Sequence, residues 1–308
     1  MFKPPSPPGF AVPAGSCDCH VHLFGPHEHY ALSKKRLYTP APATVSDLLS
    51  MLDAAGMARA VLVQPSAYAN DNRCQLDALA AHPDRFRVVA VIDPELDTRE
   101  LERMNAGGVR GVRLNLASSG GRSGAETARL VEALAERIAP LGWHLQMFIP
   151  IATIDDIAPV VGRLPVDVVL DHMGLPDAAR DTAQPGFPAL LKLLESGRAW
   201  VKLSGPYRIS PDAYGNAQVV TLARALVAAN PDRVVWGSDW PHIGKHAHHV
   251  GGEAPAVDYR PLDYGRLLSV LTEWVSADDL TRILVHNPAT LYGFASAQRP
   301  AIFHDVKS

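Results

Sequence analysis

The strongest constraint on this chain is an alternation that starts at Ser16 and does not break: a short apolar run, then an amphipathic stretch, eight times over. The runs lie at 17–24, 61–64, 87–92, 111–115, 144–148, 166–172, 199–203 and 233–239. Between them apolar positions recur at helical spacing and predict helices at 44–55, 72–82, 100–106, 125–139, 154–163, 187–195 and 218–230, with 264–275 and 277–285 closing the series. The punctuation agrees. Thr44 or Ser46 is placed to cap the first helix, Pro83 stops the second and Gly107-Gly108 the third. Strands joined by helices run parallel, because each helix returns the chain to the same end of the sheet. Eight such units predict an α/β chain folded as one (β/α)8 TIM-like barrel over 16–308, behind an extended, proline-bearing arm at 1–15. A doubly wound open sheet is the alternative. It calls for a glycine-rich phosphate turn after the first strand, and Leu23-Phe24-Gly25-Pro26 is not one.

With 47% hydrophobic and 20% charged side chains, 308 residues can bury a large core. A net charge of −3 gives no basic surface for nucleic acid or an anionic membrane. No apolar run reaches the ~18 residues of a membrane span. The start, Met1-Phe2-Lys3-Pro4-Pro5-Ser6-Pro7-Pro8, lacks the apolar segment of a secretion signal. Three cysteines, two of them two apart on one strand, predict reduced thiols and a cytoplasmic protein. The expected partner is a small molecule, with a homo-oligomer left open.

A barrel gathers its chemistry where the strands' C-terminal ends converge. The polar residues expected there are His20, His22, Gln64, Ser66, Arg113, Asn115, Gln146, Asp171, His172, Ser204, Asp239 and His242. Strict alternation along the first strand puts Asp18, His20 and His22 on one face and Cys17, Cys19 and Val21 on the other, which excludes the cysteines as partners of the histidines. Asp239 ends the apolar run Val234-Val235-Trp236-Gly237-Ser238, so its carboxylate is buried and needs a cation or donors. His20, His22 and His172 are its natural company. Three histidines and an aspartate suit a divalent cation, zinc first. They equally suit a metal-free pocket in which Asp239 is a general base and the imidazoles polarise a carbonyl. Spacing leaves both open.

Arg113 stands in an apolar strand and needs an acid, either a substrate carboxylate or Asp93 or Asp171. Arg208, in the loop after the seventh strand, is freer and reads as a lid contact. Asn115, Gln146 and Arg208 are expected to orient the substrate's acid arm with Arg113. Asp93 before Pro94 reads as a turn cap, and Lys245-His246-Ala247-His248-His249 as a solvated loop. Neither a Gly-x-Ser-x-Gly elbow nor a Walker loop occurs, which excludes acyl-serine and nucleotide chemistry of those types.

Taken together, Asp18-Cys19-His20-Val21-His22, Gln64-Pro65-Ser66, Gly111-Val112-Arg113-Leu114-Asn115, Leu170-Asp171-His172-Met173-Gly174 and Trp236-Gly237-Ser238-Asp239-Trp240-Pro241-His242 resemble the amidohydrolase superfamily. More narrowly they look like the branch that contains 2-pyrone-4,6-dicarboxylate lactonase, 4-sulfomuconolactone hydrolase and D-galactarolactone isomerase. The likeness spans 16–294. It implies His20, His22, His172 and Asp239 as the reactive centre, Arg113 and Arg208 as contacts of substrate acid groups, and Tyr38 and Ser66 as further substrate contacts. Several lactonases of that branch work without a metal and larger relatives need one, so the implied cofactor is none or one divalent cation. Two departures narrow the substrate. Ser118-Ser119-Gly120-Gly121 stands where the dicarboxylate lactonases have a second Arg, and Phe148 where they have a Tyr. The expected activity is hydrolysis of a small anionic lactone: a carboxylated or sulfonated muconolactone, a pyrone or a sugar-acid lactone. A lactone isomerase using the same pocket and a metal-dependent decarboxylase of an aromatic acid are the alternatives.

Overall fold

The computed structural model describes residues 2–116, 124–244 and 254–295. Eight strands form one sheet, hydrogen-bonded in chain order: β1 (Cys17–Val21), β2 (Arg59–Val63), β3 (Phe86–Ala90), β4 (Val109–Asn115), β5 (His144–Phe148), β6 (Val168–Leu170), β7 (Ala199–Ser204) and β8 (Val234–Gly237). Every neighbouring pair is parallel. The ring closes just beyond β8, where the Asp239 N–H donates to the His20 carbonyl and the His22 N–H to the Trp240 carbonyl, both at 2.8 Å. This is the (β/α)8 barrel that the alternation predicts.

The helices form where the sequence supplies a buried stripe and ends to match. Helix α1 (Val45–Ala55) buries Leu48, Met51, Leu52 and Ala55, one face at three- and four-residue spacing. Thr44 caps it reciprocally with Asp47, and Gly56 ends it in the left-handed conformation. Helices α2 (Arg73–Ala81), α3 (Thr98–Gly107), α4 (Gly124–Ile138), α5 (Thr153–Val161), α6 (Phe187–Glu195) and α7 (Ala217–Ala229) follow β2 to β7 in turn. The last predicted helices are more broken. Tyr264–Ser269 and Leu271–Trp274 replace 264–275, and Ala277–Thr281 runs through a π-turn at Arg282–His286 into Asn287–Tyr292. No helix or strand forms over 2–15. There the Phe2 ring rests 4.8 Å from Trp240, and Ser6 donates twice to the Asp263 carboxylate.

The core has two compartments. Val21, Leu62, Val88, Leu145, Leu170, Leu203 and Trp236 pack between sheet and helices. Cys17, Cys19, Val61, Val63, Val89, Val169 and Val235 fill the barrel interior, with Tyr292 and Phe294 beneath. This division corrects the strict alternation expected for β1. Asp18 pairs with Ala60 but Val21 with Leu62, so β1 carries one extra residue, a bulge. The bulge flips the pleat. Cys17 and Cys19 face inward, the same interior as His20 and His22 but deeper, while Asp18 and Val21 face outward. Asp18 therefore does not share the histidines' face. Its carboxylate accepts from the Tyr264 hydroxyl (2.8 Å) and from the N–H groups of His20 and Ser238 (both 3.0 Å), and burial pushes its pKa up to about 6.

The strands before the two sharpest turns are shorter than expected. β6 stops at Leu170, and His172, Met173 and Leu175 all take positive φ (51°, 58° and 55°). β8 stops at Gly237, and Asp239 and His242 sit at φ 63° and 68°. Non-glycine residues in this region are costly, and here they turn His172 and Asp239 away from the strand direction.

Gly237 permits the close approach of β8 to β1, since a Cβ there would lie 2.6 Å from the His20 Cβ and 2.9 Å from its backbone nitrogen. Gly237→Ala is expected to lower stability by about 1–3 kcal/mol through overpacking against backbone that cannot yield. Urea unfolding measures it, and an unchanged midpoint would show that β1 and β8 part without cost.

Candidate active site

The C-terminal mouth of the barrel brings His20 from the end of β1, His22 from just beyond it, His172 from the turn after β6 and Asp239 from the turn after β8 around one point. Asp239 Oδ1 lies 3.5 Å from His22 Nε2, 3.6 Å from His20 Nε2 and 3.9 Å from His172 Nε2. All four side chains are buried. The other oxygen, Oδ2, accepts from the Tyr207 hydroxyl (2.5 Å) and from Arg208 Nε and Nη2 (2.7 and 2.6 Å). Among the described residues Oδ1 and His20 Nε2 have no hydrogen-bond partner, although both are buried. Two buried polar atoms that face each other without a partner want a cation or a polar ligand between them. Burial works against ionising Asp239, but Arg208 and the imidazoles outweigh it and hold the carboxyl well below its ordinary value. Burial keeps the imidazoles neutral instead. His172 is lowered to about 3, and His20 and His22 also fall below the usual range.

The far side of each ring is held. His22 Nδ1 donates to the Val63 carbonyl at 2.7 Å, which leaves Nε2 as a lone pair aimed at the centre. His172 Nδ1 lies 2.9 Å from the Ser204 hydroxyl. His20 Nδ1 lies 3.1 Å from Asp171 Oδ1 and 3.3 Å from Lys202 Nζ. Lys202 is fully buried on β7, and its ammonium also donates to Gln146 Oε1 (2.7 Å) and the Cys19 carbonyl (2.9 Å). Burial lowers its pKa, opposed by Asp171 at 3.5 Å. Gln146 completes the floor by donating to Asp171 Oδ2 at 3.1 Å. Gln146 is thus spent at both ends on the floor beneath the histidines, a correction to its expected place on a substrate's acid arm.

Arg113 donates to the Gln64 carbonyl (3.1 Å) and lies 3.6 Å from Asp171, the second of its two expected protein partners; Asp93 is exposed and caps its own turn through the Glu95 N–H. Arg208 is not the free lid contact expected, because two of its nitrogens clamp Asp239. Phe148 stands between the two guanidinium groups, 5.6 Å from Arg113 and 5.7 Å from Arg208, with its edge against His172. Tyr38 is buried at the rim, hydrogen-bonded with Ser66, and the charges of Arg113, Arg208 and Asp239 all reach it. Asn115 ends β4, half-buried. His242 packs its ring edge-on to Tyr207. The runs 118–121 and 245–249 lie outside the described residues. Lys202 and Tyr207 are absent from the sequence-predicted set. The signal for Lys202 was present: like Arg113, it is a cation inside an apolar strand, Trp200-Val201-Lys202-Leu203.

The residues fit a metal. Three imidazole nitrogens within 3.9 Å of Asp239 Oδ1 approach the ~3.3 Å ligand spacing that a tetrahedral zinc with ~2.0 Å bonds requires, and the Nδ1 atoms are held by groups outside the cluster. A cavity of about 830 Å³ opens at the opposite end of the barrel, lined by Trp143, His144 and Trp200, but it carries none of the converging groups. Chemistry, not size, locates the site.

Residues 17–294 match the Amidohydrolase family. The chain belongs to it. This amidohydrolase is 34% identical over 309 residues to the 2-pyrone-4,6-dicarboxylate hydrolase of Comamonas testosteroni, covering 94% of each chain. It is 33% identical over 289 residues to the 4-sulfomuconolactone hydrolase of Hydrogenophaga intermedia, covering 94% of this chain and 92% of the relative. A crystal structure of an Agrobacterium tumefaciens protein, solved in the apo state, superposes with a TM-score of 0.80 at 26% identity, over 94% of this chain and all of that one. Among the described residues no helix is long and apolar enough to cross a membrane.

Buried neutral histidines set the acid stability of this amidohydrolase. His144 and His172 sit at about 3 and His242 at about 4, all through burial, whereas unfolded imidazoles titrate near 6.5. The unfolded chain therefore binds more protons below pH 6.5, and folding stability falls as pH drops from there toward 4. The urea midpoint is expected to decline steadily over that window. A flat profile would show that these rings are not buried in the neutral form.

Proposed function

We propose that this amidohydrolase opens a small anionic lactone by attack of water on the ring carbonyl. The observation that carries the reading is the division of labour at Asp239: Oδ2 is saturated by Tyr207 and Arg208, while Oδ1 is bare and faces three imidazoles. A carboxylate fixed in this way offers one oxygen as a general base. Asp239 Oδ1 takes a proton from water, and the lone pair on His22 Nε2 holds the second water hydrogen. His22, whose Nδ1 proton is committed to Val63, is thereby a partner of the nucleophile, a change from its expected role in polarising the carbonyl. His172 and His20 have donors beside Nδ1, the Ser204 hydroxyl and the Lys202 ammonium, so each can turn an Nε2–H toward the carbonyl oxygen and stabilise the charge that develops on it. The proton held by Asp239 then passes to the ring oxygen as the acyl–oxygen bond breaks.

A single divalent cation would be held by His20, His172 and Asp239, with His22 Nε2 beside it at 3.5 Å from Asp239 Oδ1, and would polarise the carbonyl and acidify the attacking water. Zinc is the metal best matched to that donor set. Around the centre, three buried or half-buried cations, Arg113, Lys202 and Arg208, face two carboxylates, Asp171 and Asp239. The excess of positive charge supports an anionic substrate, with Arg113 and Phe148 on one wall and Tyr38 and Ser66 at the rim. The names of the two relatives, hydrolases of a pyrone dicarboxylate and a sulfonated muconolactone, support the same class.

Asp239→Asn is expected to lower kcat/KM for an anionic lactone by about 100-fold or more, the scale of a general base. The assay runs on wild type and variant of equal circular dichroism, with and without exhaustive chelation and zinc return. A loss below threefold removes Asp239 as the base. Activity that vanishes on chelation and returns with zinc assigns the four donors to a metal.

A further inference from the structure

Resting on the lactone reading, we propose that Arg260 is a specificity-determining residue that takes a second acid group of the substrate on the side of the mouth opposite Arg113. Each other arginine at the centre has a protein acceptor. Arg113 has the Gln64 carbonyl and Asp171, and Arg208 has Asp239. Arg260 differs. Among the described residues its side chain makes no hydrogen bond and no ion pair, and its Nε is buried without a partner. Its guanidinium carbon lies 4.9 Å over the ring of Tyr207, whose hydroxyl is bonded to Asp239, so one aromatic ring separates this cation from the catalytic carboxylate. Its backbone N–H donates to the His242 carbonyl at 2.7 Å, and the adjoining residues pair with the same loop through Ile243 and Tyr259. Arg260 is therefore tied to the loop that presents Asp239.

The neighbouring acid is already occupied. Asp263 accepts from Ser6 and from the Arg266 N–H. A guanidinium whose Nε is desolvated and unpaired is costly unless an anion arrives, and its planar fork suits a carboxylate or sulfonate. The backbone of Arg260 is tied to the loop after β8, and β8 stands half a turn from β4 in the eight-stranded ring, so Arg260 lies across the ring from Arg113. A lactone with an acid group at each end would place its ring carbonyl between them, above the imidazoles.

The test uses Arg260→Met, which keeps the length and removes the charge, and Arg260→Lys, which keeps the charge and removes the fork. Calorimetry measures binding of benzene-1,3-dicarboxylate and of benzoate to wild type and variants, with thermal unfolding as the check on folding. A lactone carrying two acid groups and its one-acid analogue are then compared in turnover. Arg260→Met is expected to weaken the dicarboxylate by about 10-fold or more and benzoate by less than twofold, with the KM of the two-acid lactone rising in step and kcat nearly kept. Arg260→Lys should recover part of the loss. Equal effects on both probes, or none on the dicarboxylate, overturn the proposal. The binding arm needs no turnover, so a wild type that binds the dicarboxylate through Arg260 yet opens no lactone would sink the lactone reading alone.

Discussion

The site depends on one buried carboxylate being held by only half of itself. Tyr207 and Arg208 fix Asp239 Oδ2 with three donors, and among the described residues Oδ1 has no hydrogen-bond partner. An aspartate with both oxygens bonded would be structural, and one with neither would protonate in this buried position. The intermediate arrangement keeps the charge and leaves a basic oxygen facing His20, His22 and His172. The positive φ at Asp239 and the space at Gly237 serve that placement, because the turn must bring the carboxylate in against β1 without a side chain in the way.

Beneath the histidines lies a second set of buried charges that never reaches the mouth. Lys202 donates to Gln146 and Gln146 to Asp171, and Lys202 and Asp171 both flank His20 Nδ1 from below. Buried ion pairs of this kind add little net stability against an apolar alternative, but losing one member strands the other. The floor fixes ring orientation, while the clamp fixes the Asp239 carboxylate. The two are joined through His20, which touches Asp171 on one nitrogen and faces Asp239 with the other.

Much of this was legible in the sequence, for identifiable reasons. Helical and apolar runs with clear stops are local properties, and they sufficed for the barrel; Thr44 as a cap and Gly108 as a stop follow from the same local chemistry. The polar residues at strand ends could be gathered because a barrel has one chemical face. What escaped was non-local. The bulge in β1 depends on pairing with β2, so strict alternation put Asp18 on the histidines' face and Cys19 on the other, the reverse of their places. Gln146 and Arg208 look available in one dimension and are engaged in three, because their partners Lys202, Asp171 and Asp239 come from other strands. Lys202 was as visible as Arg113 in type and setting, but its depth in the strand, and hence its place in the floor, is a matter of register.

If water attacks the acyl carbon of a lactone beside Asp239, its oxygen ends in the new carboxylate. Single turnover in water enriched in ¹⁸O, followed by mass spectrometry of the opened product, follows that oxygen. One ¹⁸O is expected in the newly formed carboxylate and none in the released hydroxyl. An unlabelled product would mean that a substrate hydroxyl replaced water, as in an isomerase, and label in the hydroxyl would mean cleavage at the alkyl carbon. Either result contradicts the mechanism.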